Sequence, residues 1–211
     1  MSQYEELVEL IQQGKLMETQ DLVKALLAEE KSPDEIIQKG IAKALDIVGE
    51  KYSAGEYFLP ELIVAGRASV KCLELLGPLL TKAHHEPKGK VVIGTVKGDL
   101  HDIGKNIVAM MLQGAGFHIV DLGINITPKE FVDSIIVEKP QILGMSCLLS
   151  TTLQSMERTM DALREAGLYC KVKVMIGGPP TSDDFARKIG ADFRGIDAHD
   201  AVQQAKRFIA H

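Results

Sequence analysis

The stretch Val92-Ile93-Gly94-Thr95-Val96-Lys97-Gly98-Asp99-Leu100-His101-Asp102-Ile103-Gly104-Lys105-Asn106 changes character twice. It begins as an apolar, β-branched run, the composition of a buried strand. It ends by opening an amphipathic helix at Ile103, with Ile107, Val108, Met111 and Leu112 at helical spacing. Between the two lies Gly98-Asp99-Leu100-His101-Asp102, a loop at the carboxyl end of a strand. In an open parallel sheet that edge is where ligands sit. A histidine there, with a carboxylate two residues before it, is the best candidate in the chain for a metal-ligating or proton-handling group.

From Lys90 onward the same strand, loop, helix pattern repeats. Strands are expected at 91–96, 118–122, 142–146, 173–176 and, shorter, near 192–194. Helices are expected at 103–115, 128–138, 152–166, 182–189 and 198–209. Five such units predict an α/β fold with a doubly wound, five-stranded parallel sheet. Right-handed crossovers and the flavodoxin-like strand order follow as defaults. The loops after the first, third and fourth strands then meet on one edge.

Residues 1–82 contain no convincing strand. Tyr4, Leu7, Val8, Leu10 and Ile11 give one short helix, and Leu22, Val23, Leu26 and Leu27 a second. Ser32-Pro33-Asp34-Glu35 predicts a third, with Ser32 as cap, Pro33 in the first turn and Glu35 closing a capping box. Gly55 ends that helix, and Pro60 starts a fourth that runs to about Leu76 or Leu80. Four helices with short connections predict a small antiparallel bundle. The expected organisation is a helical domain at 1–82, a linker at 83–90 and an α/β domain at 91–211. His84 and His85 read as solvated linker, since no cysteine or third histidine nearby completes a metal site.

Bulk properties exclude several classes. At 211 residues, with 45% apolar and 25% charged side chains, the chain builds an ordinary core in one or two domains. A formal net charge of −5 argues against a nucleic-acid partner. There is no apolar run long enough to span a bilayer, and the polar, acidic N-terminus is no signal peptide. Cys72, Cys147 and Cys170 form no CxxC pair and read as reduced thiols of a cytoplasmic protein.

Three features fall on the predicted ligand edge. They are Asp99-x-His101-x-x-Gly104 after the first strand, Ser146-Cys147-Leu148 closing the third, and Gly177-Gly178 closing the fourth. Ser150, Thr151 and Thr152 follow the second of these. Asp99 can accept a hydrogen bond from one ring nitrogen of His101, fixing the tautomer and raising the basicity of the other. Thr152 can extend that relay to Asp99. Gly104 lets a ligand come close. Ser146 offers a small hydroxyl, and Gly177 and Gly178 leave a slot for something long and flat. Taken singly, an Asp-x-His pair reads as a surface histidine and a Gly-Gly before Pro179-Pro180 as a turn. In order, on one edge, with 41 residues between Gly104 and Ser146 and 28 between Leu148 and Gly177, they are far more specific.

This set resembles the cobalamin-binding signature. The resemblance covers the whole chain: Gly98-Asp99-Leu100-His101-Asp102-Ile103-Gly104-Lys105-Asn106-Ile107-Val108 and the helical Gly55-Glu56-Tyr57-Phe58-Leu59-Pro60-Glu61-Leu62 are both similar to the methyl-carrying corrinoid proteins and to methionine synthase. The resemblance implies a cobalamin or related corrinoid cofactor. His101 would be the lower axial ligand of cobalt in place of the cofactor's own base, with Asp99 and Thr152 completing the relay. Leu100, Asp102, Ile103, Gly104 and Leu148 would line the cofactor through the matched motifs. The nucleotide tail would run beside Gly177 and Gly178, with Ser146 on its base, Ser150 at the corrin periphery and Ala198 along the tail. Phe58, with Leu59 and Leu62, would shield the methyl-bearing face, and the linker would act as a hinge.

The function so implied is a methyl carrier, not catalytic alone. It would serve a substrate-specific methyltransferase, a second methyltransferase dependent on tetrahydrofolate or coenzyme M, and a reductive activase. The alternatives are a cobalamin-binding mutase subunit, whose radical chemistry the helical cap would obstruct, and a corrinoid sensor or storage module. The light-responsive sensors carry a DNA-binding segment that this sequence lacks.

Overall fold

The computed structural model describes residues 2–82 and 87–210, so His84 and His85 lie outside the described residues. By proximity the chain divides into two compact units. One extends to Pro87 and includes Met110–Gly116; the other holds Lys88–Ala109 and the chain from Phe117 onward.

The first unit is helical: α1 (Gln3–Gln12), α2 (Leu16–Ala28), α3 (Pro33–Glu35), a π-helical segment (Ile36–Ala42), α4 (Lys43–Ser53) and α5 (Leu59–Lys82). Ser2 and Glu5 form a reciprocal capping box at α1. At α3, Ser32 accepts from the Glu35 amide at 3.1 Å, but the Glu35 carboxylate turns to Lys39 instead of closing the expected box. The single helix expected after Ser32 is in fact α-helical, then π-helical, then α-helical again. The π segment buries Ile36, Ile37, Gly40, Ile41 and Ala42. A Cβ on Gly40 would stand 2.4 Å from a Leu7 methyl, so the wider turn carries a glycine where α1 comes closest. Leu7, Ile11, Leu26, Ile36, Ile41, Leu62 and Leu76 are fully buried here. Each such side chain contributes about 1.5–3 kcal/mol relative to exposure. Leu62, which the sequence leaves open between bundle core and a cofactor-shielding face, is buried. Phe58 is 68% exposed and Leu59 42%.

The second unit is a parallel sheet of β1 (Lys90–Thr95), β2 (His118–Asp121), β3 (Ile142–Ser146), β4 (Lys173–Gly177) and β5 (Phe193–Gly195), in the order β2-β1-β3-β4-β5. That is the doubly wound order read from the sequence. β1 starts at Lys90, inside the segment read as linker. The helices after β1 are α6 (Ile103–Gly114), which belongs to this unit only as far as Ala109, then α7 (Pro128–Glu138), α8 (Leu153–Glu165), α9 (Asp183–Ile189) and α10 (Ala198–Ile209). α8 begins at Leu153, one residue later than expected, because Thr152 closes a 3-10 turn that starts at Ser150.

Alternation along the strands sorts side chains onto two faces. Val92, Val96, Leu143, Met145, Cys147, Val174 and Ile176 pack against Phe131 of α7, Met156 and Met160 of α8 and Ile189 of α9. Gly94 lies on this face because a Cβ there would meet the Phe131 ring at 2.9 Å. The other face carries Ser146 and Gly177. α10 covers it, with the Ala201 Cβ 3.6 Å from where a Gly195 Cβ would stand. Cys72 and Cys147 are buried and Cys170 is exposed. Burial pushes the thiol of Cys72 up to about 12 and that of Cys147 to about 11, so neither is a thiolate near neutral pH. No described helix is long and apolar enough to cross a membrane.

Candidate functional site

The carboxyl edge of the sheet carries the site. Its last register row pairs Thr95 of β1 with Ser146 of β3, Ser146 with Gly177 of β4, and Gly177 with Gly195 of β5. Four small residues in one row leave a shelf. A Cβ on Gly177 would meet only the Gly195 carbonyl oxygen, at 3.9 Å, and one on Gly104 would meet nothing within 4 Å. Gly178 is different. Its φ is +119°, and a Cβ would fall 1.8 Å from the Cys147 carbonyl oxygen. Gly178 thus serves close packing of two loops, whereas Gly177 is the one that opens a slot.

Asp99 organises the loops around that shelf. It sits just past a left-handed Gly98 (φ +88°), and its amide donates to the Val96 carbonyl at 3.1 Å. The side chain is fully buried and saturated. Oδ1 accepts from the His101 amide at 3.0 Å and pairs with His101 Nδ1 at 2.7 Å. Oδ2 accepts from the Leu148 amide at 2.7 Å, the Leu149 amide at 3.1 Å and the Thr152 hydroxyl at 3.0 Å. Thr152 has one proton, and the Leu149 carbonyl competes for it at 2.7 Å. Burial alone would push the Asp99 carboxyl up. The His101 and Leu148 amides, the His101 ring and the Leu149 amide outweigh that burial and hold the carboxyl well below the usual carboxylate range.

An ionised Asp99 makes Nδ1 of His101 the protonated nitrogen and leaves the Nε2 lone pair free. The His101 side chain is 52% exposed, and the Thr95 hydroxyl donates to the His101 carbonyl at 3.0 Å. No group of three His, Cys, Asp or Glu among the described residues could hold a metal ion by itself. One anchored imidazole therefore suits a metal that arrives with its other positions already filled. Around it the edge is apolar and open: Leu100 and Ile103 are about two-thirds exposed, and Leu148, Leu149, Ile124 and Ile196 are exposed as well. Such a cluster of exposed large side chains marks a ligand surface.

The remaining residues named from sequence lie as follows. Asp102 accepts from the Asn106 carboxamide at 3.0 Å, across the first turn of α6. Ser150 is exposed in the 3-10 turn. Ala198 is buried as the first residue of α10, behind the Asp197 cap. Phe58 belongs to the helical unit. Sequence reasoning missed Asn125, whose side chain accepts from the Gly98 amide at 2.8 Å, and Lys105, which is 3% exposed and ion-paired with Asp121. A lysine on the buried side of an otherwise apolar helix was the available signal for the second; the first left none.

Fold and site together define a flavodoxin-like α/β protein with a carboxylate-anchored, half-exposed histidine on the carboxyl edge of its sheet. The chain belongs to the B12-binding corrinoid proteins. Residues 89–204 match the B12 binding domain, and residues 3–76 match a second family also described as a B12 binding domain. It is 40% identical over 188 residues to trimethylamine corrinoid protein 2 of Methanosarcina mazei, covering 88% of this chain and 86% of that one. Among solved structures, a cobalamin-binding protein from Desulfitobacterium hafniense superposes with TM-score 0.81 at 33% identity, over 96% of both chains. The methanol:cobalamin methyltransferase complex MtaBC from Methanosarcina barkeri gives TM-score 0.85 at 29% identity, over 97% of this chain and 78% of that one. The cofactor is a corrinoid, and the open shelf, the apolar edge and the lone anchored imidazole fit it.

Proposed function

We propose that this protein carries a methyl group on its corrinoid between two methyltransferases, with His101 Nε2 as the lower ligand of cobalt. The observation that carries this is the buried Asp99 carboxylate fixing Nδ1 of a half-exposed His101, with no three-residue metal-binding group among the described residues. Kinship to trimethylamine and dimethylamine corrinoid proteins supports a methylamine-class substrate methyltransferase as the first partner. Likeness to a chain of a methyltransferase complex supports docking to such an enzyme. A second methyltransferase, a reductive activase and a cytoplasmic setting complete the proposal.

When bound, the corrinoid supplies a cobalt centre that takes up a methyl group and gives it to a nucleophile. The chain's own residues do the rest. Asp99 keeps its charge and holds the proton of His101 on Nδ1. With Nδ1 held on Asp99, Nε2 is the ring nitrogen that would hold the metal. Ser146, Gly177 and Gly195 leave room beside the sheet for the displaced tail. Leu100, Ile103 and Leu148, exposed on the same edge, would cover apolar ligand surface from water. Both partners, not this chain, supply the activated donor and the acceptor thiol or pterin.

The test is a three-component assay. The corrinoid-loaded protein, a methylamine-class methyltransferase and a coenzyme M-dependent methyltransferase are mixed with trimethylamine. Multiple methyl transfers per corrinoid protein, abolished when it is omitted, are expected. Loading without transfer in every partner combination would leave storage. Preferential retention of adenosylcobalamin would leave the mutase reading.

A further inference from the structure

The end of β2 and the loop that follows it hold the histidine loop from both sides, at Gly98–Asp99 and at the start of α6. At the front, Asn125 has φ +58°, a left-handed backbone that asparagine tolerates better than most residues. Its Oδ1 accepts from the Gly98 amide at 2.8 Å, and its own amide donates to the Asp99 carbonyl at 3.1 Å. One residue thus holds both sides of the Gly98–Asp99 turn. At the back, Lys105 is the third residue of α6, where the positive helix end disfavours a cation. It is nevertheless buried, and it donates to Asp121 at the end of β2 and to Asn106 Oδ1 at 2.7 Å. Asp121 in turn accepts from the Gly123 amide at 2.8 Å. Between the two grips, Thr95 donates to the Gly123 carbonyl at 3.0 Å and Ile126 donates back to Thr95 at 2.9 Å, tying the loop to β1.

His101 stands between these holds. Its ring is anchored to the protein through Nδ1 on Asp99, so its height and direction over the edge follow the backbone from Gly98 to His101. A ligand must sit within about half an ångström of its productive place. We infer that Asn125 is a positioning residue for His101, setting the turn from which the imidazole reaches its ligand. This rests on the reading of His101 as the cobalt ligand. The inference adds a residue that lies outside the Asp99-x-His101-x-x-Gly104 motif and on a different loop.

Two variants separate the carboxamide from the backbone. Asn125→Gly removes Oδ1 but accepts the left-handed conformation without strain. Asn125→Asp keeps an acceptor oxygen in the same place. Each full-length protein is loaded with cobalamin, reduced to the cobalt(II) form and read by electron paramagnetic resonance; amide exchange at Gly98 is followed without cofactor. The wild type and N125D should show coupling to a protein nitrogen. N125G should lose that coupling in a measurable share of molecules, with Gly98 exchange faster by roughly tenfold, the value of one amide hydrogen bond. A wild-type cobalt spectrum in N125G, with Gly98 exchange accelerated, overturns the inference. If N125G does not fold, Asn125→Ser, whose hydroxyl is too short to span the gap, is read in the same way. Absence of protein nitrogen in the wild type overturns the ligand reading itself, which distinguishes the two failures.

Discussion

Asp99→Ala should weaken corrinoid binding by about 10–100-fold and destabilise the cofactor-free protein by about 3 kcal/mol or more. The reason is the number of groups that share this carboxylate. The amides of His101, Leu148 and Leu149 and the His101 ring all donate to it, so its removal orphans donors on two loops at once. An unsatisfied buried donor costs about 1–3 kcal/mol, more than the net value of the bond it replaces. Asp99→Asn is no remedy. Its amide NH₂ must face either the His101 donors or the Leu148 and Leu149 amides, and it repels whichever it meets. The pH dependence follows from the depressed carboxyl. A group whose folded value lies below its unfolded value of about 3.9 contributes stability above that pH and loses it as pH falls toward the folded value. The gap between wild type and D99A should therefore be fully open at neutral pH and narrow below about pH 4. Thermal melts and corrinoid titrations check both halves; unchanged affinity in a folded D99A would contradict the role given to the carboxylate.

The adjacent glycines should respond in opposite ways. Gly178→Ala forces a Cβ to 1.8 Å from the Cys147 carbonyl oxygen at φ +119°. Backbone cannot yield as a side-chain tip can, so strain and overpacking together cost about 3 kcal/mol or more, a drop in melting temperature of roughly 10 °C. The damage also reaches the site, because Cys147 precedes the Leu148 amide that donates to Asp99. Gly177→Ala meets only one atom, at 3.9 Å, and should fold with nearly unchanged stability. Its methyl group instead enters the shelf, so G177A should lose affinity for complete cobalamin while keeping affinity for cobinamide, which lacks the nucleotide. Equal losses for both ligands would contradict the placement of the tail beside Gly177.

Much of this was legible in the sequence, for identifiable reasons. β-Branched runs such as Val91 to Ile93, alternating with helical stripes, can bury both faces only in a wound parallel sheet, and chirality then fixes the order. The Asp99–His101 pair was legible because two residues of loop bring the carboxylate back to the ring. What escaped depended on contacts distant in sequence. The π turn at Ile36–Ala42 answers to Leu7, nearly thirty residues earlier. The different duties of Gly177 and Gly178 depend on Cys147, in the loop after β3. Leu62 could not be sorted between core and cofactor face, because an apolar residue on a bundle helix reads the same for either. Asn125 reaches Gly98 across 27 residues and had no local pattern to mark it.

His101 is proposed to lend cobalt a nitrogen of the protein's own. Electron paramagnetic resonance of the cobalt(II) form, prepared with ¹⁵N-histidine-labelled protein and natural-abundance cobalamin, tests it directly. A triplet splitting in unlabelled protein that becomes a doublet on labelling, and that disappears in His101→Ala, is the expected result. A triplet that survives labelling would assign the nitrogen to the cofactor's own base and contradict the account.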